Sequence, residues 1–248
     1  MSTTVKGILL ILGILACIAA TQMMAQNAQG VITYEIKINM HRNLPEDRQE
    51  RKSMIPEYRT SLDQLFFNEE ESLYRPVQEE PEEALDSGQG VRMMLRRPKY
   101  EIYTRHGESK RVMVQEFMGK KYLIEDSIKV RPWKLGSEMK EINGYACRQA
   151  TLFDHERKMN VVAWYSDQFR PFLGPENYNT LPGAVLLVDI NDGERIIAAK
   201  NIEMRPLEKN EMKIPTAKVR VTELEYHTMV REQMERMRAN GGNMIIRN

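Results

Sequence analysis

Cysteine is nearly absent: 248 residues hold two, Cys17 and Cys147. Cys17 sits in an amino-terminal apolar run, so a chain cut after that run keeps one thiol and can form no internal disulfide. Stability must then come from a packed core. Charge of one sign is also lacking, with 36 Lys+Arg against 35 Asp+Glu. A nucleic-acid-binding face needs a basic excess, and anchoring on anionic lipid needs a polybasic patch; neither is expected here. Only one long apolar run exists, Ile8–Ala20, and it falls short of the ~20 residues of a comfortable membrane-spanning helix. No Gly-x-Ser-x-Gly, phosphate-binding loop, dinucleotide fingerprint or His-Glu-x-x-His occurs, so no catalytic residue is named, no cofactor is expected and the chain reads as a non-enzyme. The four histidines, His41, His106, His155 and His227, show no zinc-site spacing, so no metal is expected either.

What is present begins at the amino terminus. Lys6 followed by the apolar run Ile8–Ala20 fits a secretory signal peptide, cleaved after Ala20 or, the favoured site, Ala25. Loss of residues 1–25 removes Lys6 and no acid, leaving 35 basic and 35 acidic residues. The stretch Ile14-Leu15-Ala16-Cys17 is a loose lipobox, which makes Cys17 a candidate lipidation site; Leu15 and the apolar residues after Cys17 weigh against it. The mature chain holds no second run of comparable length, so no transmembrane segment is expected in it.

The body of the chain reads as strands. Residues 31–40 alternate, with Ile32, Tyr34, Ile36, Ile38 and Met40 on one face and Thr33, Glu35, Lys37 and Asn39 on the other, the period of a half-buried strand. Asn43, Pro45, Glu46 and Asp47 favour the start of a short helix within 43–58. Residues 61–67 and 71–75 predict a strand pair, and 76–90, with five acids among Pro81, Gly88 and Gly90, a solvated loop. Two or three strands are expected over 91–130, with turns at 105–108 and 118–120, and a further turn near Gly136. Ala146–Phe153 and Met159–Tyr165 flank a polar turn and predict a hairpin. Ala184–Ile190 predicts a buried strand, Asn191-Asp192-Gly193 a turn of residues that tolerate positive φ, and 194–202 the returning strand.

At the carboxyl end the pattern changes period. Thr222 with Glu225 matches a capping box. Tyr226, Met229, Val230, Met234 and Met237 recur at helical spacing, and Asn240-Gly241-Gly242 stops the helix. The expected organisation is a signal peptide over 1–25, an antiparallel β domain over 26–221, a helix over 222–240 lying across the sheet or its open edge, and a tail over 241–248. Mainly β, with a curved antiparallel sheet or half-barrel and a carboxyl-terminal amphipathic helix, is the predicted fold class.

Several short stretches, in order, resemble the GLPGLI family of secreted proteins from Gram-negative bacteria. They are Ser72-Leu73-Tyr74, Trp133-Lys134, Gly144-Tyr145-Ala146-Cys147, Ala163-Trp164-Tyr165, Gly174-Pro175 and Thr180-Leu181-Pro182-Gly183-Ala184-Val185. Of the naming motif itself only Leu181-Pro182-Gly183 is kept; Thr180 stands for its first Gly, and Ala184-Val185 for Leu-Ile. The resemblance implies export to the periplasm or outer membrane and a β-rich fold, more faintly akin to the half-barrel of lipoprotein carriers such as LolA. It also implies an association with outer-membrane proteins such as TonB-dependent transporters, and it carries over no catalytic residue.

Candidate binding residues follow from loop position and exposed chemistry. Leu181, Pro182 and Gly183 form a turn that is either structural or a binding loop on a rigid sheet. Trp164 and Tyr165 point to opposite faces of a strand, so one is expected in the core and the other free to line a groove. Met229, Met234 and Met237 form an adaptable helix face, suited to packing or to covering a lipid-like ligand; a copper(I) site is the third use of such thioethers. Cys147 has no activating neighbours in sequence and reads as a buried thiol. The leading expectation is a non-enzymatic envelope protein that binds an outer-membrane partner in support of transport. A carrier of a hydrophobic ligand comes second and an envelope hydrolase third.

Overall fold

A computed structural model describes residues 29–42, 44, 52–53, 55–77, 100–155 and 157–239. The signal-peptide region with Cys17, the helix-start residues Asn43, Pro45, Glu46 and Asp47, most of the acidic loop 76–90, the Met237 side chain, Asn240-Gly241-Gly242 and the tail 241–248 lie outside the described residues.

Among the described residues twelve strands form one sheet. They are β1 (Gly30–Asn39), β2 (Tyr58–Phe67), β3 (Glu71–Pro76), β4 (Tyr100–Arg105), β5 (Lys110–Phe117) and β6 (Lys120–Ser127), then β7 (Lys134–Ile142), β8 (Tyr145–Asp154), β9 (Met159–Ser166), β10 (Ala184–Ile190), β11 (Arg195–Met204) and β12 (Val219–Val221). One helix, α1 (Glu223–Ala239), follows. The spatial order is β12-β6-β5-β4-β3-β2-β1-β11-β10-β9-β8-β7. Every pairing is antiparallel except the short parallel one between β12 and β6.

This order forces the sheet to curl. Laid flat, β6 and β7 would stand ten strand spacings apart, about 48 Å at ~4.8 Å per spacing. The connection Ile128–Trp133 joins them with six residues, which reach about 25 Å at full extension. The two ends of the sheet must therefore approach each other, and the fold is a curved, open sheet whose seam is bridged by 128–133.

Alternation sorts the side chains into two clusters. The inner face carries Ile32, Tyr34, Ile36, Leu65, Tyr74, Ile102, Met113 and Ile124, continuing through Ala150, Val161, Ala163, Val188 and Ile197. The outer face of β1 to β6 carries Val31, Phe66, Leu73, Tyr103, Val112, Val114 and Leu123, covered by Leu207, Met212 and Ala217 of the connection 205–218. That connection is braced locally: Arg205 forks onto both oxygens of Glu211, at 2.8 and 2.6 Å.

The hairpins at 105–110, 117–120 and 154–159 and the turn at 191–193 fall where the turn residues place them. Asn191, Asp192 and Gly193 all adopt positive φ. The capping box forms as read: Thr222 Oγ1 accepts from the Glu225 amide at 3.2 Å and Glu225 Oε2 accepts from the Thr222 amide at 2.7 Å. Two expectations are corrected. Residues near Gly136 are not a turn but belong to β7, an edge strand whose side chains from Lys134 to Glu141 are all exposed; with no face buried, it shows no apolar period to read. The outer face of β1 is not wholly solvated, since Asn39 is buried, its side-chain oxygen accepting from the amides of His41 and Arg42. No helix among the described residues is long and apolar enough to cross a membrane.

Candidate functional site

The connection from β9 to β10, residues 167–183, does not loop out into solvent. It folds back into the hollow of the sheet, where Phe169, Leu173, Tyr178 and Leu181 are buried in the inner cluster. Two glycines let it in. A Cβ on Gly183 would stand 2.1 Å from the Ser166 carbonyl oxygen, and one on Gly174 would stand 2.3 Å from that of Tyr178; only a residue without a side chain admits such an approach. The amide of Phe172 donates to the Leu181 carbonyl at 3.0 Å, that of Gly183 to the same carbonyl at 2.8 Å, and that of Val185 to Leu173 at 2.9 Å. A bulge in β10 between Val185 and Leu187 frees the Val185 carbonyl, and the buried Tyr34 hydroxyl of β1 donates to it at 2.7 Å.

At the tip of the connection, the Tyr178 amide closes a turn on the Pro175 carbonyl at 2.9 Å, and Glu176 is held at φ 53°. A glutamate there stores backbone strain, which persists only where its surroundings impose it. They do. Arg195 of β11 forks onto the Glu176 carboxylate, with Nη1 to Oε2 at 2.9 Å and Nη2 to Oε1. The Tyr100 hydroxyl lies 3.0 Å from Glu176 Oε1 and 2.8 Å from Oδ2 of Asp63, which is fully buried on β2. A phenol has one hydrogen, so it donates to one carboxylate at a time. The Tyr74 hydroxyl is buried alongside and has no hydrogen-bond partner of normal geometry among the described residues; burial first, with the nearby Tyr100, Glu176 and Asp63, pushes its pKa well up. Burial works against the Arg195 charge, but the Glu176 carboxylate outweighs it and raises the guanidinium pKa. Next in sequence, Asn177 accepts from the buried Arg111 of β5 at 2.8 Å. The turn 175–178 is thus tied to β2, β4, β5 and β11 together.

Chemically, two carboxylates on one phenol are a pair that can give and take protons. Asp63 is sealed and Glu176 is clamped, so the network also fixes the connection on the sheet. Sequence reasoning missed this cluster. One signal was readable: Asp63 shares a strand face with Leu65 and Phe67, which puts an acid on a core-facing stripe. Nothing in the sequence reports the φ of Glu176.

The residues singled out from sequence are placed as follows. Leu181 and Gly183 are buried and Pro182 is exposed; their turn steers the chain into β10. Trp164 and Tyr165 are both buried, which corrects the expectation that one lines a groove. The two side chains leave β9 on opposite faces, and the Lys140 ammonium lies over the Trp164 ring, 4.1 Å from its centroid. Met229 is half-buried and Met234 exposed, so the helical stripe packs only over its first turns, where Tyr226 meets Phe117 and Tyr122. The Cys147 thiol is buried, and burial pushes its pKa up to about 11. Among the described residues no group of three His, Cys, Asp or Glu side chains is arranged to hold a metal ion.

The β6 side of the seam has a different character. Glu223 at the start of α1 and Asp126 at the end of β6 both grip Lys129 of the bridging connection. The elements that meet at this clamp also carry exposed apolar residues: Val130 is 73% exposed, Val219 43%, Leu224 77% and Met234 49%.

No family model and no curated protein matches the chain. Among solved structures it is similar to PNGF-II in two crystal forms. In the P21 form the TM-score is 0.57 at 13% identity, covering 83% of this chain and 34% of that one. In the C2 form it is 0.56 at 14%, covering 83% and 33%. The chain thus spans about a third of the length of PNGF-II. At such identity the likeness concerns the fold alone: a β-rich, curved sheet.

Proposed function

We propose that the chain is an exported, non-enzymatic envelope protein that binds a protein of the outer membrane in support of transport. The observation that carries this reading is the placement of exposed apolar groups. The hollow of the sheet is occupied by the chain's own connection, while Val130, Val219, Leu224 and Met234 gather on three elements beside the β6 edge. Exposed apolar side chains carried together by the elements of one edge offer an interaction surface, although others, among them Met118, Leu135, Met139 and Phe153, lie on other elements. The rigid network around Glu176 supplies a scaffold that needs no rearrangement to present it.

Native mass spectrometry on the protein gently extracted from its own envelope tests the reading. An outer-membrane protein at fixed stoichiometry, lost in the L224D/M234D variant while thermal stability holds, is the expected result. A bound mass in the lipid range without a protein partner would instead favour the carrier reading, and a partner retained by the variant would remove this surface from the argument.

An envelope hydrolase is the second reading, favoured by the shared proton position between Asp63 and Glu176 beside the unsatisfied Tyr74 hydroxyl. Turnover of an envelope polymer that is abolished by Y74F, a variant that removes no hydrogen bond seen in the fold, would turn the assignment to that reading.

A further inference from the structure

The other edge of the sheet carries a separate signal. β7 pairs only with β8, so among the described residues its outer edge has no strand beside it. Open edges of this kind are templates for another strand, and proteins blunt them with charges and bulges. β7 has both, with charged residues at 134, 138, 140 and 141 and a register shift between Leu135 and Met139. The arrangement of its charges nevertheless does more than repel.

From this we infer that β7 pairs antiparallel with β7 of a second copy, about a two-fold axis through Met139. The axis must stand perpendicular to the joint sheet, because an antiparallel pair of identical strands admits no other two-fold. Each residue therefore meets one on its own face, an even number of positions away. With Met139 on the axis, Glu138 faces Lys140 twice, Ser137 faces Glu141, and Gly136 faces Ile142. Every other two-fold register centred between 137 and 141 sets like charges opposite. Centred on 138, 140 or 141 the strand meets itself at Glu138, Lys140 or Glu141, and centred on 137 it sets Lys134 against Lys140. Like charges directly opposite are unfavourable and opposite charges favourable, so among the centres from 137 to 141 only Met139 survives.

The bulge does not spoil the alternation that this needs. Glu138 Oε2 accepts from Gln149 Nε2 at 3.0 Å and Lys140 lies over Trp164, which pairs with Gln149 across β8 and β9. The two charges thus share a face. Met139 and Leu135 occupy the other, 62% and 60% exposed at the lip of the inner core, and the pairing covers Met139 against its twin. The shared ladder centres on Glu138–Lys140 and leaves the connection 128–133 at the Lys134 end outside it.

Sedimentation equilibrium on the mature chain over a wide concentration range tests the inference independently of any envelope partner. The expected result is a reversible rise towards twice the mass of one chain. E138K sets four lysines together and K140E four glutamates, so each alone should weaken association at least tenfold. An equimolar mixture of the two variants restores complementarity and should associate like the parent. A parent that stays monomeric throughout overturns the inference. So does a variant that associates unchanged, or a mixture that gains nothing over its components. Because both residues are exposed, circular dichroism of each variant should match the parent.

Discussion

Strands β1 to β6 are covered on both faces, whereas β7 to β11 are packed mainly on the inner one. In the first half, neighbours along a strand go to different cores. Leu73 joins the outer cluster and Tyr74 the inner, and the same split separates Phe66 from Leu65 and Phe67. The cause is the connection 205–218, which leaves the middle of the sheet at β11, crosses the outside of the first half and ends at β12 on the far edge. Among the described residues the second half has no such strap. Its outer face is made of half-buried residues such as Val162 and Leu187 and of Trp164 under Lys140. One continuous sheet therefore holds two regimes of burial, set by where the connections run.

The largest difference is expected between glycines. Gly183→Ala drives a Cβ into the Ser166 backbone, and with no flexible neighbour to yield it should cost more than about 4 kcal/mol, or abolish folding. Gly136→Ala, in the exposed edge strand, presses only on the movable end of the Gln149 side chain at 3.0 Å, the Gln149 carbonyl oxygen lying in ordinary contact at 3.4 Å, and should shift stability by less than about 1 kcal/mol. Urea unfolding of the two variants measures both. Equal effects would mean that the connection 167–183 is not locked in the hollow.

A middle-sized contrast tests the strap. Leu73→Ala, fully buried under 205–218, should cost about 2–5 kcal/mol, while Leu135→Ala at the other edge should stay within about 0.5 kcal/mol. If Leu73→Ala proved as mild, the outer cluster would not be a core.

The smallest expected effect separates the two edges by pH. Asp126, gripped first by Lys129 and also bonded to Glu223, has its pKa lowered to about 2. Its contribution is complete above its unfolded pKa near 3.8 and is lost as pH falls through about 2. Glu225 in the capping box is lowered too and acts in the same direction. Acid titration should therefore release α1 before the sheet opens. The signal is a loss of ellipticity at 222 nm below pH 4 with tryptophan emission unchanged; simultaneous loss of both would contradict it.

Much of the fold was legible because its signals are local. Turn residues at 105–108, 154–157 and 191–193 and the capping box at 222–225 act through their own backbone. The alternation in β1 and the apolar runs at 65–67 and 184–188 report burial directly. β7 was missed because a strand exposed on both faces carries no period. The partial packing of Met229 and Met234 was missed because helical spacing says which residues share a face and not how far the neighbouring surface extends. The candidate cluster drew its members from β2, β3, β4, β11 and the connection between β9 and β10, and no spacing rule joins positions 63, 74, 100, 176 and 195.

By itself the sequence determined that the chain is strand-rich, that its turns fall where they do, that a capped helix follows near the carboxyl end, and that it holds no familiar catalytic motif. Each of these depends on contacts within a few residues. Only the tertiary structure decided that the sheet curls until β6 and β7 lie a six-residue connection apart, that 167–183 fills the hollow, and that Glu176 is held strained between Arg195 and Tyr100. Those outcomes depend on side chains up to 151 positions apart, as with Tyr34 and Val185, whose meeting is fixed by the order of strands and not by any local preference.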